Sequence, residues 1–249
     1  MKNLLFFLTG CISPKGMAFT NLQDANLRQQ HYVNSIKFYL DKTDVPILFV
    51  ENSGSDISHL FQREIQKGRL EILTFQGNDY DKSLGKGYGE MLILEHASLF
   101  SDFFKKASFI FKITGRYKVL NIESYIDRYY NSENNFDLII NFTKSLSFVD
   151  ARFWGANPLF FTEIFLKHKQ KINDTKSTYF EHVLSKSAHQ AIIAGYKYSN
   201  LYHRPRYSGV YGTLGTTYDD TYWKWKAKDF CHVTLNRIQN YLQKRFDLN

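Results

Sequence analysis

The sequence has few cysteines and no long apolar run. Only two cysteines occur in 249 residues, Cys11 and Cys231. Neither has neighbours of the metal-binding kind, so the pattern argues against a disulfide framework and favours a reducing cytoplasm. No stretch approaches the ~18 consecutive apolar residues that a membrane span requires. We therefore expect no transmembrane helix.

Two nucleotide-binding signatures are also missing. The first predicted strand is not followed by GxGxxG, and GxxxxGK[ST] does not occur. A Rossmann dehydrogenase and a P-loop kinase are therefore disfavoured. The sequence shows no internal repeat and no low-complexity linker, so we expect one domain over residues 1–249.

The N-terminus, MKNLLFFLTGC, imitates a lipoprotein signal. Its apolar core, Leu4 to Leu8, is shorter than the ~7–15 residues of a signal sequence. We interpret the run as a buried first strand and do not expect cleavage.

The bulk composition indicates a packed protein with an anionic partner. Hydrophobic residues make up 43% of the chain and aromatic residues 17%, and the net charge is +8. Nucleotide phosphates, nucleic acid and an acidic membrane surface all fit such a charge, which does not choose among them.

Apolar runs and helical patterns alternate along the first half of the chain. This alternation predicts right-handed crossovers and a mostly parallel sheet. After residue 142 the alternation loosens, and residues 199–221 have no periodicity, as is typical of a functional loop or lid. Strands are expected at 3–12, 46–50, 70–75, 109–113, 136–142 and 148–154, and helices at 24–40, 89–105, 122–130, from 157, at 177–196 and at 222–246.

The stretch 86–117 carries the strongest functional signal. GKGYGEMLILEHA predicts a glycine-rich turn and a helix, and SFIFKITGRY predicts a strand with cations near its end. Ligands of open α/β sheets bind at the carboxyl ends of strands. Lys86, Lys112 and Arg116 therefore predict a pocket for a phosphorylated ligand.

The order of elements resembles the GT-A class of nucleotide-sugar glycosyltransferases, particularly small bacterial enzymes of capsule or lipopolysaccharide biosynthesis. The resemblance covers residues 3–195 and is strongest in VENSGSD, GKGYGEMLILEHA and SFIFKITGRY. It implies a Rossmann-like α/β domain with a mostly parallel central sheet flanked by helices. Residues 1–120 would bind the donor and 121–221 the acceptor, and 222–249 would form a basic C-terminal helix. The nucleoside would lie near Thr9, Gly10, Glu51 and Asn52.

The sequence departs from this class where the metal-binding Asp-x-Asp is expected. That position holds Lys112-Ile-Thr-Gly-Arg116, without a carboxylate. Side-chain cations would then neutralise the leaving phosphate, so we expect metal-independent transfer and no cofactor, with a divalent metal left open. A literal Asp-x-Asp, Asp79-Tyr80-Asp81, comes one element too early and is more simply a solvated turn.

Two carboxylates are candidates for the general base. Glu181 falls in the first turn of a predicted helix, where the resembled class often places its base, although compensation of the helix dipole explains it equally well. Asp150 competes from a strand end. Arg152 and Trp154 beside it would contact the acceptor, unless Asp150 and Arg152 simply form an ion pair. We rank Glu181 slightly ahead.

Two stretches of the basic C-terminal third, a loop and the tail, each have two interpretations. His203, Arg204 and Arg206 in a glycine-containing loop would close over the donor phosphates, or form a merely flexible basic loop. The tail after Tyr222 alternates tryptophan and lysine. It would lie against anionic lipid, or pack its aromatics on the sheet with a solvated basic face, which we favour.

Two functions from different classes remain. The first is transfer of a sugar from a nucleotide-sugar donor to a glycan or lipid-linked glycan, in the cytoplasm or at the inner face of the membrane, without a nucleic-acid partner. The alternative is a non-catalytic, basic nucleic-acid-binding protein. Because the cations gather at strand ends and in one loop, we favour the enzyme.

Overall fold

The computed structural model describes residues 2–15, 20–132, 136–209 and 221–246, with side chains to residue 238 in the last range. The α-helices are α1 Ala25–Lys42, α2 Gln62–Gln66, α3 Lys86–Phe100, α4 Asp102–Lys106, α5 Ile122–Asn131, α6 Phe180–Ile193 and α7 Tyr222–Phe246. The strands are β1 Leu4–Gly10, β2 Ile47–Glu51, β3 Leu70–Thr74, β4 Phe109–Thr114, β5 Lys118–Val119, β6 Leu138–Ile139, β7 Phe142–Thr143, β8 Phe148–Val149, β9 Phe153–Ala156, β10 Tyr198–Ser199 and β11 Tyr207–Ser208. A π-helix spans Phe160–Phe165, and 3-10 turns span Ser58–Leu60, Lys82–Leu84, Leu166–Lys171 and Asp174–Lys176.

The main sheet has the order β10-β6-β9-β4-β1-β2-β3. Strands β1, β2, β3 and β4 are parallel, whereas β9 runs antiparallel between β4 and β6. The predicted α/β fold with a mostly parallel central sheet is therefore confirmed. Because the four parallel strands share one direction, their carboxyl ends meet at one edge of the sheet.

The N-terminal apolar run forms β1, and all seven of its residues are buried. Leu4, Phe6 and Leu8 pack with α1 and α5 on one face, while Leu5 and Phe7 pack with α3, α4 and α6 on the other. A strand covered on both faces needs a continuous apolar sequence. No helix among the described residues is both long and apolar enough to cross a bilayer.

Several predicted boundaries differ in the second half of the chain. The strand predicted at 148–154 is two strands, because the Asp150 carboxylate accepts a hydrogen bond from the Arg152 backbone N–H (3.1 Å) and closes a turn between them. The strand predicted at 136–142 is likewise interrupted after Ile139. The helix predicted from residue 157 is a π-helix continued by 3-10 turns.

Candidate active site

A cleft of about 230 Å³ opens at the carboxyl ends of β1, β2 and β4. It exceeds the ~150 Å³ cavity that holds a benzene molecule, so a phosphate or a sugar ring fits. Seven of the residues singled out from the sequence line it, namely Thr9, Gly10, Asn52, Lys86, Arg116, Arg152 and Glu181. The sequence-based expectation of a pocket at this edge therefore agrees with the structure.

Arg116 enters the cleft because Gly115 lets the chain pass close to the end of β1. The Gly115 N–H donates to the Thr9 carbonyl at 2.9 Å, and a Cβ on residue 115 would lie 2.6 Å from that oxygen. Arg116 is only 9% exposed, and its Nη1 is buried without a hydrogen-bond partner in the described structure. Its guanidinium has no acid within 4 Å among the described residues. A buried cation without a partner is costly, so this position favours an anionic ligand.

Lys86 lies at the N-terminus of α3, which begins directly after a tightly packed turn. Gly85 has φ +84°, and a Cβ there would fall 2.0 Å from the Asp174 carboxylate. Asp174 in turn accepts a hydrogen bond from the Lys86 backbone N–H. Burial raises the pKa of Asp174, and the charge of Lys86 opposes that rise. The turn thus places a lysine on the cleft wall next to the positive end of a helix.

Two neighbouring residues at the end of β2 have different roles. Glu51 is fully buried and accepts hydrogen bonds from the backbone N–H groups of Ile12 (2.8 Å) and Ser55 (2.9 Å). It holds the turn and does not line the cleft, which corrects its predicted contact with the nucleoside. Asn52 does line the cleft, and its Oδ1 is buried without a partner among the described residues.

Lys112 does not reach the cleft, contrary to the sequence-based expectation. Its side chain is 0% exposed, and its ammonium forms an ion pair with Glu90 and donates to the Ala151 carbonyl at 2.9 Å. The residue lies two positions before the end of β4, so its side chain runs beneath the cleft floor towards α3. A direct contact between Lys112 and a donor phosphate is therefore ruled out in this structure.

Glu90 was missed from the sequence although a signal was present. It follows Lys86 by four residues, and residues at that spacing share one face of a helix. Glu90 lines the cleft, where its Oε1 accepts a hydrogen bond from the Thr9 hydroxyl at 3.1 Å. The sequence analysis also missed Tyr80, which reaches the cleft from a loop, and Asp174, which reaches it from a 3-10 turn. No sequence spacing connects either segment with the cleft.

Glu181 lies in the first turn of α6 and faces the cleft. Burial raises the pKa of its carboxyl, and the nearby Glu90 carboxylate raises it further, whereas Lys86 and Lys112 lower it. A carboxylate with a raised pKa is a stronger base than an ordinary glutamate once it is ionised. The geometry therefore provides a proton acceptor on the wall of the cleft.

The carboxylate of Asp150 forms an ion pair with Arg152. Its carboxylate accepts from Arg152 Nε (2.7 Å) and Nη2 (2.5 Å), and it is not part of the cleft lining. The ion pair considered from the sequence is present, and it leaves Asp150 poorly placed as a base. Trp154, expected to stack on a sugar, is 0% exposed and stacks on Phe161 in the core instead.

The basic segment before residue 210 is bound to α7 and does not line the cleft. His203 Nδ1 lies 2.9 Å from Asp229 Oδ2, and the Arg204 backbone N–H donates to Asp229 Oδ1 at 2.6 Å. Arg206 lies over the Tyr222 ring, 5.1 Å from its centroid. These contacts correct the expected phosphate contacts of His203 and Arg206, whereas the exposed side chain of Arg204 does not line the cleft. Residues 210–220 of the predicted lid lie outside the described residues.

The residues at the usual metal position do not fit a divalent cation. Lys112, Thr114 and Arg116 offer no carboxylate, and the Asp81 side chain instead accepts from the Ser83 N–H at 2.9 Å. Within the described part of the chain, no group of three histidine, cysteine or acidic residues is placed to hold a metal. Asp79 is exposed and belongs to no such group.

Comparison with known proteins yields similarity of fold only. No protein-family model and no curated protein matches the sequence. A protein from Desulfovibrio desulfuricans G20, described as a nucleotide-diphospho-sugar transferase, is 10% identical over 81% of this chain and 80% of its own (TM-score 0.43). The inositol-1-phosphate CTP transferase of T. maritima is 12% identical over 80% and 85% (TM-score 0.44). S. aureus TarS 1-349 in complex with UDP is 12% identical over 83% of this chain and 60% of its own (TM-score 0.42). Similarity this low does not distinguish sugar transfer from nucleotidyl transfer.

Proposed function

We propose that the protein is a glycosyltransferase that moves a sugar from a nucleotide-sugar donor to a surface glycan, and that it works without a metal ion. The observation that carries the proposal is the buried Nη1 of Arg116, which has no partner among the described residues, in a cleft at the carboxyl ends of parallel strands. A diphosphate would give this guanidinium forked, charge-assisted hydrogen bonds.

In the proposed reaction an acceptor hydroxyl attacks the anomeric carbon of the donor sugar. The bond between that carbon and the phosphate oxygen breaks, and the hydroxyl proton passes to the Glu181 carboxylate. The nucleoside diphosphate leaves with its added negative charge next to Arg116 and Lys86. Fixed cations at the place where charge develops lower the barrier because they need no reorganisation.

The carboxylate on the cleft wall favours glycosyl transfer over nucleotidyl transfer. A sugar hydroxyl must lose a proton as it attacks, and Glu181 is placed to accept one. In nucleotidyl transfer to a phosphate group the attacking oxygen is already ionised, so such a base is not needed. Product analysis distinguishes the two, since glycosyl transfer releases a nucleoside diphosphate or monophosphate and nucleotidyl transfer releases pyrophosphate.

A donor panel tests the proposal. Wild-type protein incubated with UDP-, GDP- and CMP-sugars is expected to hydrolyse at least one slowly, and the matching free nucleotide is expected to raise the melting temperature. Stabilisation by oligonucleotides alone, with strong salt dependence, would support the nucleic-acid alternative instead. If neither class of ligand binds, both functions are refuted.

Contact with the inner face of a membrane, and with it a cytoplasmic location and a lipid-linked acceptor, belongs to the same proposal. The inward face of α7 carries the buried Trp225, whose Nε1 donates to the Arg204 carbonyl at 3.0 Å, and His232, whose Nε2 lies 2.7 Å from the Leu201 carbonyl. The outward face exposes 74% of Trp223 and 72% of Phe230.

The charges of α7 point to an anionic lipid surface as the occupant of this outward face. From residue 222 to 238 the helix carries Lys224, Lys226, Lys228 and Arg237. Its one acid in that range, Asp229, is 8% exposed and contacts His203. Apolar side chains flanked by cations bind the interface of anionic bilayers. Two copies of this helix face would instead bring like charges together.

Co-sedimentation with vesicles tests the contact. Binding to phosphatidylglycerol-containing vesicles, and weaker binding to pure phosphatidylcholine, is expected from wild-type protein. The double variant Trp223→Ala/Phe230→Ala is expected to lose most of it. Leu99→Ala/Phe100→Ala is the matched control, because these side chains are 59% and 60% exposed on α3. Equal binding by both variants would contradict the assignment.

A further inference from the structure

Glu90 is held in one orientation on the floor of the cleft. Its Oε1 accepts from the Thr9 hydroxyl at 3.1 Å and pairs with the ammonium of Lys112. Lys112 is 0% exposed and also donates to the Ala151 carbonyl at 2.9 Å, so the cation that fixes Glu90 cannot move away.

The second carboxylate oxygen of Glu90, Oε2, can accept a hydrogen bond from a ligand. Among the described residues, Oε2 receives no hydrogen bond, and the Glu90 side chain is 23% exposed along the cleft. An ionised carboxylate oxygen only accepts hydrogen bonds. It therefore suits a ligand that carries hydroxyl or amide donors.

The lining of the cleft carries charges of both signs. Arg116 and Lys86 supply positive charge, and Glu90 and Glu181 bring two carboxylates to the same cleft. The two are close enough for the charge of Glu90 to act on Glu181. A ligand that pairs with both kinds of side chain therefore combines an anionic group with neutral hydrogen-bond donors.

On the basis of the proposed function, we infer that Glu90 determines which sugar the enzyme transfers. Its Oε2 accepts a hydrogen bond from a hydroxyl of the donor sugar, and the two carboxylates repel sugars that carry one of their own. The donor is a neutral, hydroxylated sugar on a nucleoside diphosphate, whereas uronic and sialic acids are excluded.

Matched donors test the inference directly. UDP-glucose and UDP-galactose are compared with UDP-glucuronate and UDP-galacturonate, and UDP alone serves as the reference ligand. Two close carboxylates repel strongly at the effective dielectric of a cleft, so binding of the uronic donors is expected to be on the order of 100-fold weaker. Equal binding of neutral and uronic donors by the wild-type protein would overturn the inference.

The variant Glu90→Gln keeps the shape of the side chain and removes its charge. In this variant the ratio of the Kd of uronic donors to the Kd of neutral donors is expected to fall about tenfold or more. The Kd of UDP alone is expected to change less than about threefold. Glu95→Gln is the matched control on the same helix, because Glu95 pairs with Lys169 at 2.6 Å and does not line the cleft. An unchanged preference in Glu90→Gln refutes the role of Glu90, whereas failure of UDP, GDP, CDP and CMP alike to bind the wild-type protein refutes the proposed function as well.

Discussion

Replacing Arg116 by methionine separates a ligand-binding role from a structural role, because the two predict opposite changes in stability. Arg116 is 9% exposed, and the Nη1 atom of its guanidinium has no partner in the described structure. Exchange of a buried, unpaired charge for an apolar side chain of similar length is often neutral or stabilising. We expect the free energy of unfolding of Arg116→Met to equal that of the wild type or to exceed it by about 1 kcal/mol.

Arg28 offers the matched control within the same protein. It is 4% exposed and donates to the carbonyls of Cys11 (2.8 and 2.5 Å) and Leu22 (3.1 Å) and to the Tyr32 hydroxyl (3.3 Å). Hydrogen bonds from charged donors contribute about 1.5–3 kcal/mol each, less when they share an acceptor. We expect Arg28→Met to lower the free energy of unfolding by about 3–5 kcal/mol.

Urea unfolding measures both stabilities, and calorimetric titration measures the affinity for the nucleotide. Loss of a forked contact between guanidinium and diphosphate costs about 2–4 kcal/mol, or roughly 30- to 1,000-fold in Kd. Arg116→Met should therefore bind the nucleotide far more weakly while remaining as stable as the wild type. If Arg116→Met instead unfolds as easily as Arg28→Met and binds UDP normally, Arg116 is a structural residue and the proposed function loses its main support.

Three further substitutions probe the floor and wall of the cleft. Glu181→Gln is expected to lower kcat about 10²- to 10⁴-fold without changing the affinity for UDP. In the wild type, activity should rise with pH as Glu181 ionises, at a pH above that of an ordinary glutamate because burial raises its pKa; a limb at or below the ordinary value would contradict this. Lys112→Met leaves Glu90 unpaired, so urea unfolding should show a loss of about 2–3 kcal/mol, and since Lys112 lowers the pKa of Glu181, the acid limb should move to higher pH. In Gly115→Ala a Cβ would lie 2.6 Å from the Thr9 carbonyl oxygen, so the free energy of unfolding should fall by about 1–3 kcal/mol and UDP binding should weaken. Normal UDP binding would contradict the idea that Gly115 positions Arg116 in the cleft.

The first half of the fold follows from local patterns. The apolar runs that become β1 to β4 are long enough to identify as buried strands, and the spacing between them leaves room for crossover helices. Strands in the second half of the chain are harder to predict from the sequence because they are short. One hydrogen bond, from the Arg152 N–H to Asp150, also divides the predicted strand at 148–154. A turn of this kind depends on a single side chain and gives no periodic signal.

The candidate site was predictable in position but not in detail. The ends of parallel strands indicate which residues approach the same edge, and Thr9, Asn52 and Arg116 do so. They do not indicate how deeply a side chain is buried. Lys112 and Glu51 were assigned to the ligand, yet each is fully buried with partners distant in the sequence.

The predicted phosphate contacts of His203 and Arg206 are wrong for a similar reason, because their partners are distant in the sequence. Asp229 of α7 is the partner of the His203 side chain and of the Arg204 backbone N–H. Only the folded structure shows that α7 holds this segment by hydrogen bonds. Of the basic side chains, His203 thus contacts an acid of the protein itself, and Arg206 lies over the Tyr222 ring.

The most direct test of the central claim is calorimetric titration of the wild-type protein with UDP, GDP, CDP and CMP in excess EDTA, repeated with Mg²⁺ or Mn²⁺. If side-chain cations hold the phosphate, one of these nucleotides binds in EDTA with a Kd within about threefold of its value with metal, and Arg116→Met weakens that binding at least ~30-fold. Binding that appears only after a divalent metal is added, or that is unaffected by Arg116→Met, would contradict the account.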